Sequence, residues 1–130
     1  MKILPLHEFV KFLVVGVANT LVGLSVIYLS KWFLDFDDVT ANILGYSVGI
    51  FVSFSLNSRW TFSYSGSHST ALVKFLLVAL IAYSVNLLTV MASIYWLALN
   101  PYLSQALGVP PYTVTSYLAN KYLVFRKSSA

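Results

Sequence analysis

The sequence predicts an all-α membrane protein: four transmembrane helices built from two parallel-topology two-helix repeats, within a single transmembrane domain over 1–130. Three observations carry this. First, 58% of the 130 residues are hydrophobic and only 9% are charged, too few charges to cover a soluble core. Second, long stretches have no charged side chain at all. Third, residues 10–65 align without a gap to residues 73–128 at an offset of 63. The aligned identities include Val10/Val73, Lys11/Lys74, Phe12/Phe75, Leu13/Leu76, Val15/Val78, Leu44/Leu107, Gly45/Gly108, Ser53/Ser116, Asn57/Asn120 and Phe62/Phe125. Apolar composition explains shared Val and Leu, but not one offset that also pairs Lys, Gly and Asn.

The charge-free stretches run Phe12–Ser30 (19 residues), Val39–Ser58 (20 residues) and Phe75–Asn120 (46 residues). A bilayer takes about 20 residues, so the third stretch holds two helices around the interruptions at Asn100, Pro101, Gly108, Pro110 and Pro111. The spans are placed near 10–32, 39–59, 73–98 and 107–125. A signal peptide is the alternative for the first. Its apolar run is long for that, no small-x-small cleavage site follows, and its repeat partner is internal. The Ser-rich loop from Ser63 to Thr70 is the only flexible linker.

Orientation follows from Lys and Arg outside the spans. Lys2 and Lys11, Arg59 and Lys74, and Lys121, Arg126 and Lys127 fall on one side, against Lys31 alone on the other. Both termini are therefore expected in the cytoplasm, and two-span repeats give the halves parallel topology about an axis along the membrane normal. The net charge of +4 sits beside apolar spans, where it meets anionic lipid head groups rather than nucleic acid.

Each of three spans carries a small, polar stripe: Gly16, Asn19, Thr20 and Gly23; Asn42, Gly45, Gly49, Ser53 and Asn57; Ala79, Ala82, Asn86, Thr89 and Ser93. Spacings of 3 and 4 put each set on one helix face. Small residues let helices approach, and amides tie helices together. The same amides also suit hydroxyl-rich cargo, because they donate and accept without bearing a charge that must be desolvated. Asn42 and its repeat partner Gln105 lie toward the outer side, Asn86 at about 16 Å into its span, and Asn57 and Asn120 toward the cytoplasm, forming rungs across the membrane.

The cytoplasmic ends of the even-numbered spans carry the most specific residues, Arg59-Trp60 and Lys121-Tyr122. An aromatic beside a cation at this depth serves as an interfacial anchor. The same chemistry serves a lipid-linked phosphate, with Arg59 and Lys121 neutralising it and Trp60 or Tyr122 covering its sugar. Lys11 and Lys74 complete a basic rim. Nothing points to catalysis: there are no paired carboxylates, Gly-rich phosphate loop or Ser/His/Asp set. With no Cys and two His, no metal or other cofactor is expected. A proton-driven drug exporter of this size needs a carboxylate inside the membrane, and the four acidic residues, Glu8, Asp35, Asp37 and Asp38, lie outside the charge-free runs.

The pattern Phe12-x-x-x-Gly16-x-x-Asn19-Thr20, the Asn42-x-x-Gly45 pair, the Ser53–Phe62 segment with its Arg-Trp-Thr-Phe ending, and the closing Lys121-Tyr122-Leu123-Val124-Phe125-Arg126 resemble the GtrA-like family of small bacterial membrane proteins. The resemblance covers nearly the whole chain. It implies a flippase for a polyprenyl-phosphate-linked sugar in cell-surface polysaccharide synthesis, in the bacterial inner membrane, partnered by a membrane glycosyltransferase. In that reading Arg59, Lys74, Lys121 and Lys11 attract the phosphate. Asn19, Asn42, Asn57, Asn86 and Asn120 pass the sugar, with Trp60 and Tyr122 at the cytoplasmic mouth. Four helices enclose little volume, so a homo-oligomer is expected. The alternatives are a non-transporting scaffold for the glycosyltransferase and an exporter like the small multidrug resistance proteins, against which the missing carboxylate and one-sided charge both count. Two features depart from the family pattern. Pro110-Pro111 is expected to shorten or break the fourth helix, and Tyr122-Leu123 stand where the first half has Arg59-Trp60.

Overall fold

A computed structural model describes residues 6–126. Lys2 and Lys127, two of the seven cations in the orientation argument, lie outside the described residues. The chain divides between Ser63 and Tyr64 into two units. In the first, α1 (Leu6–Leu34) is followed by α2 (Asp38–Leu56) and a π-helical turn, π1 (Asn57–Thr61). In the second, α3 (His68–Tyr95) is followed by α4 (Pro101–Ala119) and a second such turn, π2 (Asn120–Val124).

Each helix starts ahead of its predicted span for local reasons. Ser67 caps α3, its hydroxyl accepting from the Thr70 amide at 3.4 Å, so the helix begins at His68 rather than near 73. Asn100 caps α4 by accepting from the Tyr102 amide at 2.7 Å. Pro101 then occupies the first helical position, where a missing N–H costs nothing, and the helix starts there rather than at 107. The expected break at Pro110-Pro111 does not occur, since α4 runs unbroken from Pro101 to Ala119. The prolines deny Ala106 and Leu107 their i+4 amide donors without ending the helix, a tolerance known of membrane helices.

Both hairpins turn the same way. α1 ends at Asp35, with φ 54°, and the Phe36 amide reaches back to the Ser30 carbonyl at 3.2 Å. α3 gives way to Ala98, with φ 53°, and the Leu99 amide reaches the Ser93 carbonyl at 3.0 Å. In both, the amide after the left-handed residue returns to a carbonyl six positions earlier, one position further back than the 6→1 bond of a Schellman motif. A Lys31–Asp38 ion pair also spans the first hairpin, but both partners are exposed, so it contributes little.

Within the first unit α1 packs on α2 through glycines. A Cβ on Gly45 would lie 2.9 Å from the Gly23 carbonyl oxygen and 2.5 Å from Ile27 Cγ1, so only glycine permits this approach. Ala41, Gly45 and Gly49 are buried at four-residue intervals, the ridge that helix packing uses. Asn42 is off that ridge and exposed, which corrects its placement on the packed stripe. Gly16 and Thr20 also face away from α2. Nothing lies within 4 Å of a Cβ on Gly16, and both residues are exposed. In the second unit the corresponding ridge buries Ser104, Gly108 and Ser116 of α4 and Asn120 of π2 against α3, which buries Ala82, Val90 and Ser93.

The outward surface is apolar. Only 11% of the most apolar part of α1 is buried, and 22% of each of the corresponding parts of α2–π1 and α3. Lipid is the medium such surfaces require, and the protein is a membrane protein. Exposed Trp32 and Trp96 stand near the hairpin turns, and exposed Trp60 and Tyr122 in the π turns, the aromatic belts of interfacial residues. Three helices, Leu6–Leu34, Asp38–Thr61 and His68–Tyr95, are long and apolar enough to cross. The fourth helix is present but less apolar, because its 19 residues include three prolines, two serines, two threonines and a glutamine.

Candidate functional site

The π turns are the places where the buried face ceases to be apolar. In the first, Asn57 is 1% exposed. Its Nδ2 donates to Ser53 Oγ at 3.3 Å, and its Oδ1 accepts from Thr61 Oγ1 at 2.8 Å. The Phe62 amide closes the turn onto the Asn57 carbonyl at 2.9 Å. A side chain that bridges the residues four before and four after it ties α2 to the widened turn. Such π bulges are enriched at functional sites. Outside this knot stand Arg59 and Trp60, both exposed. Lys11, from α1, sets its ammonium 5.3 Å from the Trp60 ring, a cation–π geometry. Phe12 packs near Phe62 with ring centroids 6.2 Å apart.

The second unit also ends in a π turn closed by a Phe amide, with different side-chain chemistry. The Phe125 amide closes onto the Asn120 carbonyl at 2.8 Å. Asn120 is 2% exposed, and its Nδ2 donates to the Ser116 carbonyl at 2.7 Å and to Ser116 Oγ at 3.3 Å. Val124 occupies the place Thr61 has in the first unit, so Asn120 Oδ1 is left buried without a hydrogen-bond partner. A buried acceptor in this state costs about 1–3 kcal/mol. Ser104 Oγ shares that condition. In the first unit, among the described residues, no buried side-chain polar atom is stranded. Lys121 is half-buried, with its ammonium 5.8 Å from the buried Tyr117 ring and 5.7 Å from the exposed Tyr122 ring.

The structure thus brings Lys11, Asn57, Arg59 and Trp60 to one end of the first unit, and Asn120, Lys121 and Tyr122 to one end of the second. Lys74 is exposed on α3. The other amides do not join these clusters. Asn42 is exposed and turns its Nδ2 back to the Asp38 carbonyl at 3.2 Å. Asn19 and Asn86 are half-buried, each laid over a glycine of the adjoining helix: Asn19 Oδ1 covers Gly49, and Asn86 Nδ2 lies 2.5 Å from where a Gly108 Cβ would be.

Three participants escaped the sequence reading. Thr61 was visible as the i+4 partner of Asn57, a spacing that brings two helical side chains together. Ser116 aligns with Ser53, and only the structure makes it the anchor of Asn120. Tyr117 aligns with Phe54, and only the structure reveals that its ring underlies Lys121.

Residues 11–125 match the GtrA/DPMS transmembrane domain. No curated protein matches the chain.

Proposed function

Because the chain belongs to the GtrA/DPMS transmembrane-domain family, whose resemblance implies a part in membrane-linked glycan synthesis, we propose that it is a translocase for a polyprenyl-phosphate-linked sugar and catalyses no covalent step. The observation that carries this reading is the pairing of a cation, Lys11 from α1 at π1 and Lys121 in π2, with aromatic rings beside a buried amide. A phosphate needs the cation, a sugar face needs the ring, and the buried amide ties the turn that carries both.

In this mechanism Arg59 and Lys11 in the first unit, and Lys74 and Lys121 in the second, attract the phosphate at the cytoplasmic face. Trp60 and Tyr122 cover the sugar, Asn19 and Asn86 meet its hydroxyls at mid-depth, Asn42 lies toward the outer side, and the prenyl tail stays in lipid. The lipid's own gradient drives the movement, maintained by synthesis inside and consumption outside. Asn57 has both ends of its amide engaged within its turn, so its role is to hold Arg59 and Trp60 in place rather than to touch cargo.

The two units are read as copies of one hairpin, and α4 as the fourth span. Buried Val15/Val78, Ser30/Ser93, Gly45/Gly108, Asn57/Asn120 and Phe62/Phe125 and the caps at Asp35 and Ala98 all recur at the sequence offset, which supports that reading. Both termini are cytoplasmic in a bacterial inner membrane, the protein works as a homo-oligomer, and a membrane glycosyltransferase supplies the cargo.

The test is translocation in reconstituted vesicles. Arg59→Gln with Lys121→Gln is expected to abolish delivery of sugar lipid to the outer leaflet, and unchanged rates would end this assignment of roles. One observation favours a second reading, a scaffold that only recruits the glycosyltransferase: Asn19 and Asn86 sit on glycines, which is how packing amides sit. Tight binding of the enzyme without any exposure of sugar lipid to an external probe is the outcome that selects it.

A further inference from the structure

The π turns differ at one pair of positions that decides their hydrogen bonding. Four residues after the buried amide, the first turn has Thr61, whose hydroxyl fills Asn57 Oδ1 at 2.8 Å. The second has buried Val124, which has no donor to give. Asn120 cannot escape by turning its amide over. That would set Oδ1 against the Ser116 carbonyl, which now receives Nδ2 at 2.7 Å, acceptor against acceptor. The open atom is therefore an acceptor, and only an O–H or N–H group satisfies it. An ionised phosphate offers neither, whereas a sugar offers several hydroxyls.

Resting on the translocase reading, we infer that π2 is the sugar-binding turn: Asn120 Oδ1 accepts a hydrogen bond from one hydroxyl of the cargo sugar. Lys121, the next residue, meets the phosphate, and Tyr122 flanks the ring. In π1 the matching acceptor is already taken by Thr61, so that turn offers cargo Arg59 and Trp60 but no amide. Asn120 is 2% exposed, so the hydroxyl enters when π2 loosens. Loosening is easier here than in π1, because no side chain ties the amide oxygen to the end of the turn. Cargo binding and opening of π2 are then one event.

The experiment measures binding of a short-chain polyprenyl phosphate hexose, of its singly deoxygenated analogues, and of bare polyprenyl phosphate to purified protein. The wild type is expected to prefer the sugar lipid over the bare phosphate, and one deoxy analogue to lose about tenfold in affinity, the value of one well-made hydrogen bond. Val124→Thr supplies the donor that Thr61 gives in π1. It should erase the penalty of that one analogue and raise thermal stability, while binding of bare phosphate is unchanged. A wild type that binds sugar lipid but loses nothing with any deoxy analogue overturns the hydroxyl assignment alone, as does a Val124→Thr protein that is more stable yet keeps the full penalty. A wild type that binds neither lipid overturns the translocase reading and this inference with it. Should Val124→Thr fail to fold, the deoxy series on the wild type decides by itself.

Discussion

π1 and π2 share a backbone and differ in what their buried amides lack. Each has a buried Asn at its first position, a return bond from a buried Phe amide, and a serine four residues earlier that receives the amide nitrogen. One turn is then saturated by Thr61 and the other is left short by Val124. Packing fixes the positions the units have in common, since Gly, Asn and Phe are what these close contacts admit. Chemistry is found where they diverge. An orphaned acceptor that a single methyl-for-hydroxyl exchange would satisfy marks the second turn as the one with something left to bind.

The comparison breaks most severely at the glycine contacts. Gly45→Ala forces a Cβ against a backbone carbonyl that cannot swing away, and Gly108→Ala forces one to within 2.9 Å of the stiff Val90 side chain. Overpacking of this kind costs about 1–3 kcal/mol, with Gly45→Ala expected at the upper end. Gly49→Ala meets the end of the Asn19 side chain, which can move, and should cost less. Gly16→Ala meets nothing and should be neutral. Unfolding free energies in mixed micelles that fail to follow this order would mean the helices do not pack as described.

The next effect is at Thr61 itself. Thr61→Val makes π1 resemble π2 and strands Asn57 Oδ1, so a loss of about 1–3 kcal/mol is expected. The exchange Thr61→Val with Val124→Thr moves the defect from one unit to the other and should leave stability near that of the wild type. If Thr61→Val alone costs nothing, the turns are not held by their amides, and the contrast between them loses its meaning.

Much of this was legible in the sequence because lipid imposes simple rules. Charge-free length locates the helices, and the offset aligns Gly45 with Gly108 and Asn57 with Asn120. Three things were not legible. Helix ends depended on caps at Ser67 and Asn100, where one side-chain bond adds a turn or more. Pro110-Pro111 reads as a breaker, yet α4 continues from Pro101 to Ala119, because membrane helices tolerate internal proline. Stripe membership also drifted: spacing put Asn42 and Gly16 on packed faces, whereas the ridge that packs is defined by the helix opposite. Which amide is saturated was the least accessible feature, since it turns on a residue four positions away whose identity, Thr or Val, is unremarkable in an apolar sequence.

The smallest expected effect probes the comparison from the other side. Trp60 holds Lys11 against its ring at 5.3 Å, and the positions at the same offset in the second unit are Leu123 and Lys74. If the units are copies of one hairpin, Leu123→Trp places an indole where Lys74 can reach it, and the new cation–π contact should add about 0.5–1 kcal/mol. A larger apolar side chain at a membrane interface can stabilise for other reasons, so the gain by itself proves nothing. Lys74→Gln separates the two: in the Leu123→Trp background it should remove the gain, while in the wild type it should change stability by less. A coupling of that size between residues 49 positions apart requires the α3–π2 geometry to reproduce that of α1–π1. Strict additivity would instead show that the units share a pattern of burial without sharing a structure.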